Sequence, residues 1–246
     1  MIGLTRTIFA AACFALASSA AFAGPVLGQG TWQLTLQPRD LDGNGVADAF
    51  YDTELQITWL RDANVSGASD WASASSWVST LVVGGYDDWR LPTMLDSSVG
   101  ECVWSYSGGT DCGYNVLTKV GSTVYSEMAH LYYDTLGNKA ICNPLLSTPT
   151  RCSVQSGYGL SNTADFFNLR PSSYYWSGLQ YEDHVTHAWT FNTDAGSQSG
   201  DAKSYQFYAM AVRSGDVISA IPEPGTYALV LAGLAAVNIA ARRRRR

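Results

Sequence analysis

Residues 40–48 read Asp-Leu-Asp-Gly-Asn-Gly-Val-Ala-Asp, with side-chain oxygens at the first, third, fifth and ninth places and glycine at the sixth. A hard divalent cation needs that spacing: the glycine permits a sharp turn, and several oxygens converge on one ion. The ligand set is Asp40, Asp42, Asn44, the Val46 main-chain carbonyl and Asp48, with calcium as the cation. The twelfth place holds Tyr51 where a bidentate Glu belongs, so weak affinity is expected. The competing reading is an acidic turn that binds nothing.

Glu182-Asp183-His184-Val185-Thr186-His187 offers two imidazoles and two carboxylates to a transition metal. On a strand the two histidines would point to opposite faces, and a solvated hairpin loop is the stronger reading. Cys102, Cys112, Cys142 and Cys152 are an even set, which in an exported chain reads as disulfides. Their spacing favours two local loops, 102 to 112 and 142 to 152. No C-x-x-C pair is present to favour zinc. No G-x-S-x-G, H-E-x-x-H or phosphate-loop pattern occurs, so no catalytic residue is assigned.

The stretch Gly84-Gly85-Tyr86-Asp87-Asp88-Trp89-Arg90-Leu91-Pro92-Thr93 is the centre of the chain. Two glycines break what precedes them, and Pro92 holds Leu91 extended. Trp89 reads as an aromatic anchor. Arg90 can pack its stem while its guanidinium reaches a carboxylate, with Asp87 and Asp88 nearest in sequence. Trp89, Arg90, Leu91, Pro92 and Thr93 are read first as a structural motif, and a binding Arg is the alternative.

The elements that must position these groups follow from periodicity. Residues 32–36 alternate as a first strand, and Leu55, Ile57 and Trp59 alternate as a second within 51–60. Trp71, Ala74, Trp77, Val78 and Leu81 recur at helical spacing, with Ser69 or Asp70 as cap. A second helix is expected over 122–136, stopped by Gly137 and Asn138. His130 on it reads as a structural histidine. Strands are expected at 174–178, 188–192 and 205–213, with long loops at 96–121 and 140–160.

The chain has 246 residues, 15 basic and 21 acidic. Six of the basic residues are Arg6 and the arginines at 242–246, which leaves nine against 21, a balance of −12. Such a body repels nucleic acid and anionic surfaces. Residues 1–23 form a secretory leader: Arg6, an apolar run, then Ala21-Phe22-Ala23 with cleavage after Ala23, which implies the Sec machinery. Residues 24–220 are the body. Residues 221–246 are a separate module: Pro222, Glu223 and Pro224, an apolar run at 227–241 and five arginines. An apolar helix of ~15 residues spans only ~22 Å of a ~30 Å hydrocarbon core, so it is short for a span, and an inner-membrane anchor with arginines inward is expected.

Three resemblances add to this reading. The loop at 40–48 resembles, over its first half, the loops of dockerin and thrombospondin-type repeats. Gly85-Tyr86-Asp87-Asp88-Trp89-Arg90-Leu91-Pro92-Thr93 resembles the signature of the Lcl-C domain, a domain of unknown function. Glu127-Met128-Ala129-His130-Leu131-Tyr132-Tyr133 and the strand segments extend that likeness over about 51–217. It implies an α+β, C-type-lectin-like or formylglycine-generating-enzyme-like fold, with two helices on a small, mostly antiparallel sheet and long disulfide-bearing loops. No cysteine follows Cys152, so formylglycine-generating activity is not carried over. The tail resembles the PEP-CTERM sorting signal. That implies a Gram-negative host, exosortase processing near Pro222, Glu223 and Pro224, and a final place at the cell surface or in the extracellular matrix, as in a biofilm. The expected role is non-catalytic binding of extracellular polysaccharide, and the alternative is a hydrolase or oxidase acting on extracellular polymer.

Overall fold

The structure, a computed structural model, describes residues 29–97 and 102–217. The leader with Ala23, and the tail with Pro222, Glu223, Pro224 and the apolar run, lie outside the described residues. In chain order the elements are α1 (Trp32–Thr35), β1 (Leu36–Arg39), β2 (Ala49–Asp52), β3 (Ile57–Leu60), α2 (Trp71–Ser79), β4 (Gly113–Tyr114), β5 (Lys119–Val120), β6 (Thr123–Val124), α3 (Glu127–His130) with a π-helical turn (Leu131–Thr135), β7 (Tyr174–Gln180), β8 (His187–Asn192), β9 (Ser197–Ala202) and β10 (Val212–Ser214).

The chain is mostly β, and the expected C-type-lectin-like α+β arrangement is corrected. Two four-stranded sheets, ordered β1-β2-β3-β10 and β4-β9-β8-β7, replace the single small one, and β5-β6 is a separate hairpin. The expected helix over 122–136 is the main casualty. Thr123 and Val124 pair with Val120 and Lys119, and the helix begins only after Ser126, whose hydroxyl caps the Ala129 N–H at 3.1 Å. The expected first strand opens as one helical turn and becomes extended at Leu36. The segment at 51–60 is two strands, because Asp52 to Gln56 form a turn with Gln56 at φ 56°. Helix α2 does form, capped by Asp70, which accepts from Ser73 N–H at 2.7 Å.

Residues 208–212 tie the two sheets together. Tyr208 exchanges backbone bonds with β7, donating to the Tyr174 carbonyl and accepting from Trp176 N–H. Ala211 then accepts from Leu60, and Val212 pairs with Trp59 on β3. Ala209, Met210, Ala211 and Val212 are completely buried. A strand covered on both faces reads as a continuous apolar run, as this one does.

Indoles make up much of the interior. Trp59, Trp176 and Trp189 are wholly enclosed. Burying an aromatic side chain of this size removes roughly 150–250 Å² from water, on the order of 4–6 kcal/mol before ordering costs. Two of the three indole N–H groups are matched: Trp176 donates to the Ser69 carbonyl at 2.9 Å and Trp189 to Asp96 at 3.0 Å. Trp59 Nε1 has no partner among the described residues.

Candidate functional site

The segment at 84–93 works as a seam. Arg90 exchanges both backbone bonds with Val212, at 2.7 and 2.8 Å. Trp89 is buried beside Leu91, with its indole N–H on the Tyr86 carbonyl. The Arg90 guanidinium reaches Glu127, not Asp87 or Asp88. Nη1 and Nη2 donate to the two carboxylate oxygens at 2.8 and 2.7 Å, and Thr93 N–H donates to the same carboxylate at 2.7 Å. Glu127 is only 4% exposed, and a cation and a main-chain donor offset the cost of burying its carboxylate oxygens. Asp88 pairs instead with Arg213 at 2.7 and 2.9 Å, a bond that holds its carboxyl below the usual range. The Arg90–Glu127 pair joins segments 37 residues apart, which no local spacing could announce.

His130 is buried on α3. Its Nδ1 lies 3.2 Å from the Thr135 hydroxyl, and its Nε2 lies 3.2 Å from Glu54 and 3.8 Å from Asp134. Those partners fit the structural role expected for it.

Residues 40–48 form the tip of the β1–β2 hairpin, closed where Arg39 pairs with Ala49. Asp40 accepts main-chain N–H bonds from Gly43, Asn44 and Gly45 at 2.8, 3.2 and 2.7 Å. The bond from Gly45 leads in holding the Asp40 carboxyl below the usual range. Gly43 and Gly45 sit at φ 78° and 88°, where only glycine is at ease. Carboxylate oxygens of Asp40, Asp42 and Asp48 come within 4.8 Å of one another. Asn44 spends its side chain on Asp42 and on Val46 N–H. Tyr51 lies on β2 with its ring under Arg39, 5.5 Å from the guanidinium carbon, and adds no carboxylate.

The cysteines pair locally, Cys102 with Cys112 and Cys142 with Cys152. The two cystine loops also touch. Tyr106 N–H donates to the Pro149 carbonyl at 3.2 Å, and the Asn115 amide donates to the Cys142 carbonyl at 2.9 Å. On this joined surface three rings gather. Tyr106 and Tyr114 stack at 5.6 Å and 15°, and Trp104 stands across them at 6.3 and 5.4 Å. Tyr114 belongs to β4 at the edge of the second sheet, so the cluster is fixed to the core through one strand. Gly113 makes room for it, since a Cβ there would lie 2.1 Å from the Ser105 carbonyl oxygen. Trp104 remains 39% exposed, and Val103, Leu145 and Leu146 on the same loops are more so. The sequence placed the loops and cystines but missed this cluster, because Trp104, Tyr106 and Tyr114 have no regular period.

His184 lies in the β7–β8 loop, as the solvated-loop reading expects, whereas His187 opens β8 and pairs with Ala202. Turns there bring the two rings to 5.5 Å, which the opposite-face geometry of a strand would forbid.

Among the described residues no helix is long and apolar enough to cross a membrane. No curated protein matches the chain significantly. Residues 220–246 match the PEP-CTERM protein-sorting motif. That motif marks an exported protein, sorted by an exosortase to the cell envelope or surface.

Proposed function

We propose that the exported chain is a non-catalytic binding module for extracellular polysaccharide, and that Trp104, Tyr106 and Tyr114 are its contact surface. The observation that carries this is the ring cluster itself, partly exposed and held by two cystine loops and an edge strand. Exposed apolar groups gathered in one place mark interaction surfaces. Rigid aromatic rings present a flat apolar face beside phenolic hydroxyls, at little cost in conformational entropy. A sugar ring has the matching chemistry, with an apolar face of C–H groups and a rim of hydroxyls. Calcium at Asp40, Asp42, Asn44, Val46 and Asp48 would fix the β1–β2 hairpin tip, and the short ligand set makes it a weak site.

The Lcl-C assignment of the body is also a proposal. It gains support from the Arg90–Glu127 pair, since the two most specific motif segments meet there. The functional reading is tested by presenting purified exported protein to an array of extracellular polysaccharides. Saturable binding without release of new reducing ends is the expected result, and turnover of any of them would favour the hydrolase alternative. Sorting is tested separately: Glu223→Ala should leave a full-length, membrane-retained precursor, and normal processing of that variant would contradict the assigned cleavage region.

A further inference from the structure

A guanidinium carries five N–H donors. In Arg90, Nη1 donates to the Leu91 carbonyl at 3.1 Å and to Glu127, and Nη2 gives one proton to Glu127. That leaves the Nε proton and the second Nη2 proton, which lie parallel along the long edge of the fork. Two other arginine–carboxylate pairs among the described residues use that very edge. Arg39 binds Asp216 through Nε and Nη2 at 2.7 and 2.8 Å, and Arg213 binds Asp88 the same way. Among the described residues nothing accepts from the long edge of Arg90.

Arg90 is 34% exposed and lines a cleft of about 290 Å³. Trp89 and Leu91 give the cleft an apolar wall, and Thr93 and Gly178 border it. Helix α2 faces it with Ser75 and Ser79, four residues apart and so on one side of the helix. The Ser75 hydroxyl has no partner among the described residues. An apolar wall with a few converging polar donors is the usual make-up of a small-ligand site, and the volume sits at the bottom of the ~300–1,000 Å³ range. It suits one ring rather than a chain.

We infer that this cleft is a second binding site, for a single neutral sugar ring whose neighbouring oxygens accept from the Arg90 long edge. Neutrality follows from charge. Glu127 already compensates Arg90, and the chain outside its terminal arginines carries −12. A carboxylate placed here would meet a neutral pair with its anionic end close by. The hydroxyls of Ser75 and Thr93 match ring hydroxyls on the open side. The site is separate from the aromatic cluster and does not rest on it.

The test is an amide NMR titration of the exported protein with methyl glucoside, methyl galactoside and glucuronate. A methyl glycoside should give saturable shifts at Ser75, Ser79 and Thr93, with a dissociation constant of roughly 1–10 mM. Ser75→Phe, and independently Ser79→Phe, fill the cleft from α2 without touching the Arg90–Glu127 pair. Each should weaken binding by at least about tenfold at unchanged melting temperature, while Trp104→Ala leaves it intact. No saturable shift with any probe, or full binding by both filled variants, overturns the site. Glucuronate binding about tenfold tighter than either glycoside overturns the neutral-ligand assignment.

Discussion

The Arg90 seam and the paired cystine loops use polar and aromatic groups in opposite ways. In the seam, Trp89 is buried, its indole N–H is taken, and Glu127 is enclosed by Arg90 and Thr93 N–H. Its partners come from distant parts of the chain, and the result joins α3 to the sheets. In the cystine loops the links are local, with two bridges of ten-residue separation, and Trp104 keeps an open face. Similar residue types therefore serve different ends. Where long-range partners enclose them they hold the fold, and where short covalent loops display them they meet solvent.

The sharpest way to break this contrast is Glu127→Ala. It strands the Arg90 guanidinium and the Thr93 N–H and should cost ~3 kcal/mol, the lower part of the range for a broken buried pair because Arg90 is partly exposed. Urea unfolding measures it, and a midpoint equal to wild type would mean the seam is dispensable. Asp87→Ala, by contrast, should leave the midpoint alone.

Removing one cystine by a double Cys→Ser change at Cys142 and Cys152 should cost about 2–3 kcal/mol, through the greater freedom of the unfolded chain. The Trp104 cluster should lose binding with it, because Tyr106 N–H rests on the Pro149 carbonyl within that loop. Full binding in this double-serine variant would separate the cluster from the Cys142–Cys152 bridge.

The smallest effect is expected at the β1–β2 tip. Calcium at tenfold excess over its dissociation constant should add ~1.4 kcal/mol to wild type and nothing to Asp42→Ala. The gain should be lost in acid, and since main-chain bonds led by Gly45 hold the Asp40 carboxyl below the usual range, its share of the loss should come below that range. Superimposable calcorimetric traces for both proteins with and without millimolar calcium would mean the tip is only a turn.

Legibility in the sequence follows the same division. Local features could be read: the cystine pairing, the Asp70 cap of α2, the strands at 174–178 and 188–192, and the Asp40 loop with its glycine turns. Features decided at long range could not. Arg90 has two acidic neighbours in sequence, yet Asp88 is held by Arg213 and the pairing goes to Glu127. Thr123 and Val124 continue a helical pattern, but a hairpin with Lys119 and Val120 claims them. The division into two sheets rests on residues 208–212 changing partner from β7 to β3, and periodicity carries no trace of a change of partner. The aromatic cluster is the same case, since three rings from irregular loops meet only once the cystines close.

The central claim, that the cystine loops display the binding surface, is tested most directly by comparing wild type with Trp104→Ala. Affinity for whichever extracellular polysaccharide wild type binds is measured by isothermal titration, with thermal unfolding run on the same samples. The account expects binding to weaken by at least about tenfold, some 1.4 kcal/mol, with the unfolding temperature unchanged. Equal affinity in the two proteins, both folded, would contradict it.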